Sequence, residues 1–214
     1  LVVALWARSD LQVGNGDGVQ GINDARTALD LATEGRQRFP ESPRFPALVG
    51  WSHFRLGIWW IYLPDRFADG LEQLRLAGDA GLLAYEREPT RDRRQGMRTQ
   101  IALEVEHRSK TDPSGAMQRA ELGMAAIARH GLNEPWALLS WTRLATAALP
   151  ACSDEQRQLL LSTLETHWTQ IPEHRLPELG TAATLSVLDL CAAGLSKRPG
   201  LQALFRATLQ AAAQ

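Results

Sequence analysis

A chain of 214 residues, 44% hydrophobic and 22% charged, is long enough to bury a sizeable core and is not disordered in composition. Its 23 basic and 24 acidic residues are spread evenly along the chain, so it lacks the basic footprint of a general nucleic-acid binder. The longest apolar run, Ile58 to Leu63, has six residues, too short to span a membrane, and two cysteines supply no disulfide framework.

Apolar residues recur at intervals of three and four, the period of a helix with one buried face. About ten helices are expected, at residues 1–12, 22–38, 46–62, 66–87, 92–108, 114–130, 135–148, 154–170, 174–195 and 199–212. The chain begins at Leu1 rather than Met, which leads to the expectation of a processed form or one domain of a longer protein; no compartment follows from it. Between the first two helices lies Gly16-Asp17-Gly18-Val19-Gln20-Gly21, which spells Gly-x-Gly-x-x-Gly. A dinucleotide fingerprint needs a strand before it and a parallel sheet around it, and neither is expected here. The segment reads as a flexible loop whose Asn15-Gly16 and Asp17-Gly18 steps permit positive φ.

Ala25, Ala28, Leu29, Ala32 and Gly35 stripe the second helix. Three prolines within residues 40–46 force a turn, because proline lacks the amide that helix continuation requires. The third helix carries Trp51, Arg55 and Trp59 at i, i+4 and i+8, flanked by Phe54 and Trp60. Two adjacent tryptophans cannot both face one core, so at least one of Trp59 and Trp60 is expected to be exposed or to cover a neighbouring loop. These aromatics serve either packing or a binding hot spot. Pro64-Asp65 ends this helix and opens the next, which bears Leu71, Leu74, Ala77, Leu83 and Ala84.

Arg87, Arg91, Arg93, Arg94 and Arg98 follow, interleaved with Glu86, Glu88 and Asp92. Arg94 and Arg98 share a helical face. The cluster is either a solvated, partly paired face or an anion-binding edge. Glu104-x-x-His107 is half of a di-iron carboxylate pattern without a second copy, and reads as a solvated helix face. Asp112-Pro113-Ser114 and Ser153-Asp154-Glu155 are helix starts. The helices they open carry Met117, Ala120, Met124 and Ile127 in one case, and Leu159, Leu160, Thr163, Leu164, His167 and Trp168 in the other. Cys152 and Cys191 lack a Cys-x-x-Cys spacing, and no Gly-x-Ser-x-Gly elbow occurs, so no metal site, cofactor site or catalytic group is expected. The last helix is expected to cap the 174–195 helix through Leu201, Phe205 and Leu209, with a dimerisation arm as the competing reading.

The chain also repeats itself. Ala47-Leu48-Val49-Gly50-Trp51-Ser52 matches Ala137-Leu138-Leu139-Ser140-Trp141-Thr142 at an offset of 90, and Trp6 lies 45 residues before Trp51. Gly96 occupies the intervening step. One helical hairpin per roughly 45 residues is the implied unit.

Ala28, Ala32, Gly35 and Pro40, and again Ala77, Gly81, Ala84 and Pro89, resemble the second helix of the tetratricopeptide repeat. Val49-Gly50 with His53 or Phe54, and Leu56-Gly57 with Trp60, resemble its first helix. The resemblance covers residues 1–172 in degenerate form, with a period nearer 45 than the family's 34, because the Val13–Ile22 loop and the Trp59–Phe67 stretch lengthen the units. Other α-solenoid pairs and a non-repeating bundle stay open. The resemblance implies an all-α, right-handed stack of antiparallel hairpins forming a single domain over 1–214. It also implies a non-catalytic scaffold that binds a protein or peptide on the concave face of its first helices. Trp51, Phe54, Arg55, Arg94, Arg98, Trp141 and Arg143 are the candidate partner-binding residues, aromatics for buried area and arginines to orient an acidic segment. The alternative is a small-ligand-sensing domain that controls a linked catalytic domain, with the Trp59–Phe67 stretch as a pocket wall; it requires an enclosed pocket rather than an open groove.

Overall fold

The computed structural model describes residues 1–132 and 134–170. Every regular element among them is helical: α1 (Val2–Gly14), α2 (Gly18–Arg38), α3 (Arg44–Ile61), α4 (Phe67–Arg87), α5 (Arg91–Arg108), α6 (Pro113–Ala128), α7 (Pro135–Ala148) and α8 (Asp154–Thr169), with single 3-10 turns at Pro64–Arg66 and Leu149–Ala151. No described helix is long and apolar enough to cross a membrane. The helices expected at 174–195 and 199–212, the cap through Leu201, Phe205 and Leu209, and Cys191 lie outside the described residues. The chain divides into two compact units, Leu1–His107 and a second that begins at Arg108, where the sequence reading takes 1–214 as one domain.

Local chemistry sets the helix ends. The Asp112 carboxylate accepts from the Gly115 amide at 2.9 Å, and Ser153 with Gln156 closes a reciprocal capping box. Glu134 caps α7 by accepting from the amides of Trp136 and Ala137. The third helix starts two residues before its expected position, because Pro46 fits within the first turn, where no amide hydrogen is needed.

The Gly-x-Gly-x-x-Gly segment corrects the loop expectation more sharply. Only Gly16 has positive φ, at 89°; Asp17 caps α2, and the helix runs through Gly18 and Gly21. Gly21 lies against α1, where a Cβ would meet Val13 Cγ2 at 2.5 Å and the Ser9 carbonyl oxygen at 2.9 Å. The Ser9 hydroxyl donates to the Gly21 carbonyl at 2.7 Å. Of the three spaced glycines, Gly21 serves helix packing and Gly16 the turn, while a Cβ on Gly18 would meet nothing within 4 Å.

In the first unit, successive helices run antiparallel. Val13 meets Gly21, Arg8 grips Asp24 through two bonds of 2.5 and 2.6 Å, and Leu5 and Trp6 pack on Ala28. The Arg8 bonds hold the Asp24 carboxyl below its usual range. Phe45 lies on Gly35, Val49 on Ala32, and Leu56 and Trp60 on Ala25. Gly57 receives Leu74, while Gly50 lies against the Ala77 carbonyl. The alanine stripe of α2 is buried to the last atom because Ala25, Ala28 and Ala32 let neighbouring helices come close.

Alternate helices also meet, and these run in the same direction. The Trp6 indole of α1 donates to the Ser52 hydroxyl of α3 at 3.0 Å, and Arg55 bonds Asp10. Trp51 of α3 lies against Gly96 of α5, and Leu103 of α5 packs on the cluster of Phe54 and Ile61. The 45-residue steps Trp6, Trp51, Gly96 in the sequence are thus steps from α1 to α3 to α5.

In the second unit, Met117, Ala120, Met124 and Ile127 are all buried, as their spacing predicts. The stripe of α8 is corrected: Leu159 is exposed, and the buried positions are Leu161, Leu164 and Trp168. The Trp168 indole donates to the Thr142 hydroxyl at 2.9 Å. Burial beside Met117 pushes the Cys152 thiol above its ordinary pKa, away from a reactive thiolate.

Candidate functional site

The third helix presents a polar–aromatic ridge because its sequence is apolar nearly all round and only part of it can be covered. Trp60 turns inward and is buried, with the guanidinium groups of Arg26 and Arg66 over its ring at 5.4 and 4.4 Å. Trp59 is half-buried and packs against the same cluster of Ala25, Leu56 and Trp60, so neither tryptophan is exposed as the sequence reading expected.

Trp51, Phe54, Ile58 and Trp59 line a pocket of about 140 Å³ that opens to solvent, with Asp10 and Arg55 also lining it. Trp51 and Phe54 meet edge to face at 5.3 Å. Arg55 is fixed twice, by Asp10 at 3.1 and 3.2 Å and by the Trp6 ring 4.8 Å below its guanidinium. The Trp59 indole Nε1 is buried without a hydrogen-bond partner.

A second depression lies across the Trp51 ring, where α3, α4 and α5 converge. Trp51, Gly81, Asp92, Arg93, Gly96 and Gln100 are among the residues that line it, and its space is about 20 Å³, room for one water-sized group. Gln100 is 1% exposed, and its Oε1 is buried without a partner. Two glycines make room for its carboxamide: a Cβ on Gly81 would come within 2.2 Å of Oε1, and one on Gly50 would sit 3.1 Å from Nε2. Gly96 forms the open side, since a Cβ there would stand 3.5 Å or more from the Trp51 ring.

Of the sequence-predicted site residues, the structure brings Trp51, Phe54 and Arg55 to one pocket. Arg94 and Arg98 share a face of α5 as expected, but at 8% and 9% exposure they offer little surface. Trp141 and Arg143 belong to the second unit, the first buried and the second half-buried. The remaining arginines are engaged at the surface: Arg93 bonds Glu88 at 3.2 Å, and Arg87 donates to the Pro40 carbonyl.

The solvated-face reading of Glu104 and His107 is overturned. Glu104 is fully buried and His107 nearly so, its ring edge-on to Tyr62 at 5.7 Å. Among the described residues no group of three or more His, Cys, Asp or Glu side chains gathers where it could hold a metal ion. The site residues that sequence reasoning missed are Ile58, Asp10 and Gln100. Ile58 is one turn beyond Phe54 on the same helix and was within reach of the i, i+4 rule. For Gln100 the only signal was the pair Gly50 and Gly81, whose meaning depends on a non-local contact.

No family model, characterised protein or solved structure matches this chain.

Proposed function

We propose that this chain is a non-catalytic interaction module, a tetratricopeptide-like stack of antiparallel helical hairpins that binds a peptide or protein segment on the face shared by α1, α3 and α5. The observation that carries the reading is the aromatic pocket on α3. Half-buried Trp51, Ile58 and Trp59, with buried Phe54 behind them, line an open pocket beside an ordered Asp10–Arg55 pair. Half-buried tryptophans in such a setting are the residues that dominate binding energy at interfaces. The succession α1, α3, α5 at steps of 45 residues supports the stacking, since each hairpin adds one helix to the same face. An open pocket favours a scaffold over the ligand-sensing alternative, which calls for an enclosed one.

The proposed surface narrows to Trp51, Phe54, Arg55, Ile58 and Trp59. Since Arg55 is held by Asp10, it orients the pocket wall rather than offering a lone positive charge to an acidic segment. The test is selection from a phage-displayed peptide library against the full chain, with Ile58→Glu as the counter-target. Peptides that bind the parent chain and lose the folded variant support the reading. Peptides indifferent to Ile58→Glu, or no enrichment at all, reject it.

A further inference from the structure

We draw no further inference here: the strongest candidate, the exposed apolar face of α1 bearing Val3, Ala7 and Leu11, carries none, because nothing in the structure shows what covers it.

Discussion

Residues 47–52 of α3 and 137–142 of α7 share three of six letters and conservative changes at two more, and each ends in a buried hydroxyl that accepts a hydrogen bond from an indole. The donors come from opposite directions along the chain: Trp6 precedes Ser52 by 46 residues, while Trp168 follows Thr142 by 26. The motif is therefore a socket, a hydroxyl on an apolar helix face, and the surrounding helices decide which tryptophan fills it. The residue before the hydroxyl diverges in the same way. Trp141 is buried, whereas Trp51 is half-buried and divides two depressions. What differs is the continuation: Arg55, Ile58 and Trp59 stand in α3 where Ala145, Ala148 and Leu149 stand at the same offset. Position 50 differs too. Gly50 admits the Gln100 carboxamide, while Ser140 satisfies its hydroxyl on its own helix by donating to the Trp136 carbonyl at 2.9 Å. A repeated sequence supplies a repeated helix, and only the first copy lines an open aromatic pocket among the described residues.

The strongest test of this contrast is removal of the socket tryptophans. Trp168→Ala, at a position with no exposure, should lower the unfolding free energy by about 4 kcal/mol, and Trp6→Ala by about 3 kcal/mol, in urea denaturation. A loss below about 1 kcal/mol for either would show that its indole is not a core element. Next comes the pair at the diverged position. Trp141→Ala should cost about 3 kcal/mol and Trp51→Ala about 1 kcal/mol, because only the first empties a filled site. Equal losses would mean that Trp51 is a core residue like its counterpart.

A smaller effect is expected from making α3 resemble α7. Gly50→Ser brings a Cβ to 3.2 Å from the Ala77 carbonyl oxygen and against the Gln100 carboxamide, and should cost about 1 kcal/mol by crowding despite the better helix propensity. A gain in melting temperature would show that the α3–α4 seam is looser than its distances indicate.

The smallest effect is a pH dependence confined to the first copy. His53 of α3 bonds Gln73 at 2.8 Å, and burial lowers its pKa below 6.5. The unfolded chain therefore takes up the proton first as pH falls, so the folded state is favoured above about pH 6.5 and loses that advantage as pH drops towards the folded-state value. His53→Gln should flatten this part of the stability profile, measured as the difference between variant and parent from pH 7.5 to 5. Parallel profiles would show that His53 titrates alike in both states.

Several features were legible in the residues themselves. The all-helical class followed from the period of the apolar positions, and the ends of α6 and α8 from Asp112 and Ser153, because a cap is a contact between residues three apart. The candidate pocket was half visible, in Trp51, Phe54 and Arg55.

The polar face of α5 was not. Glu104 and His107 read as solvated, and Arg94 and Arg98 as either a solvated face or an anion-binding edge, yet all four are buried, and so is Gln100. Burial belongs to the neighbours a helix acquires, and a charged side chain can leave water once those neighbours supply hydrogen bonds and countercharge. Gln100 becomes a feature of the site only because Gly50 and Gly81, fifty and nineteen residues away, leave its carboxamide a place to sit. The sequence by itself determined where helices begin, end and turn their apolar sides, because those preferences are set within a few residues. Which tryptophan fills a socket, which one lines a pocket, and which polar groups are closed off from water were decided by tertiary packing, whose contacts join residues tens of positions apart.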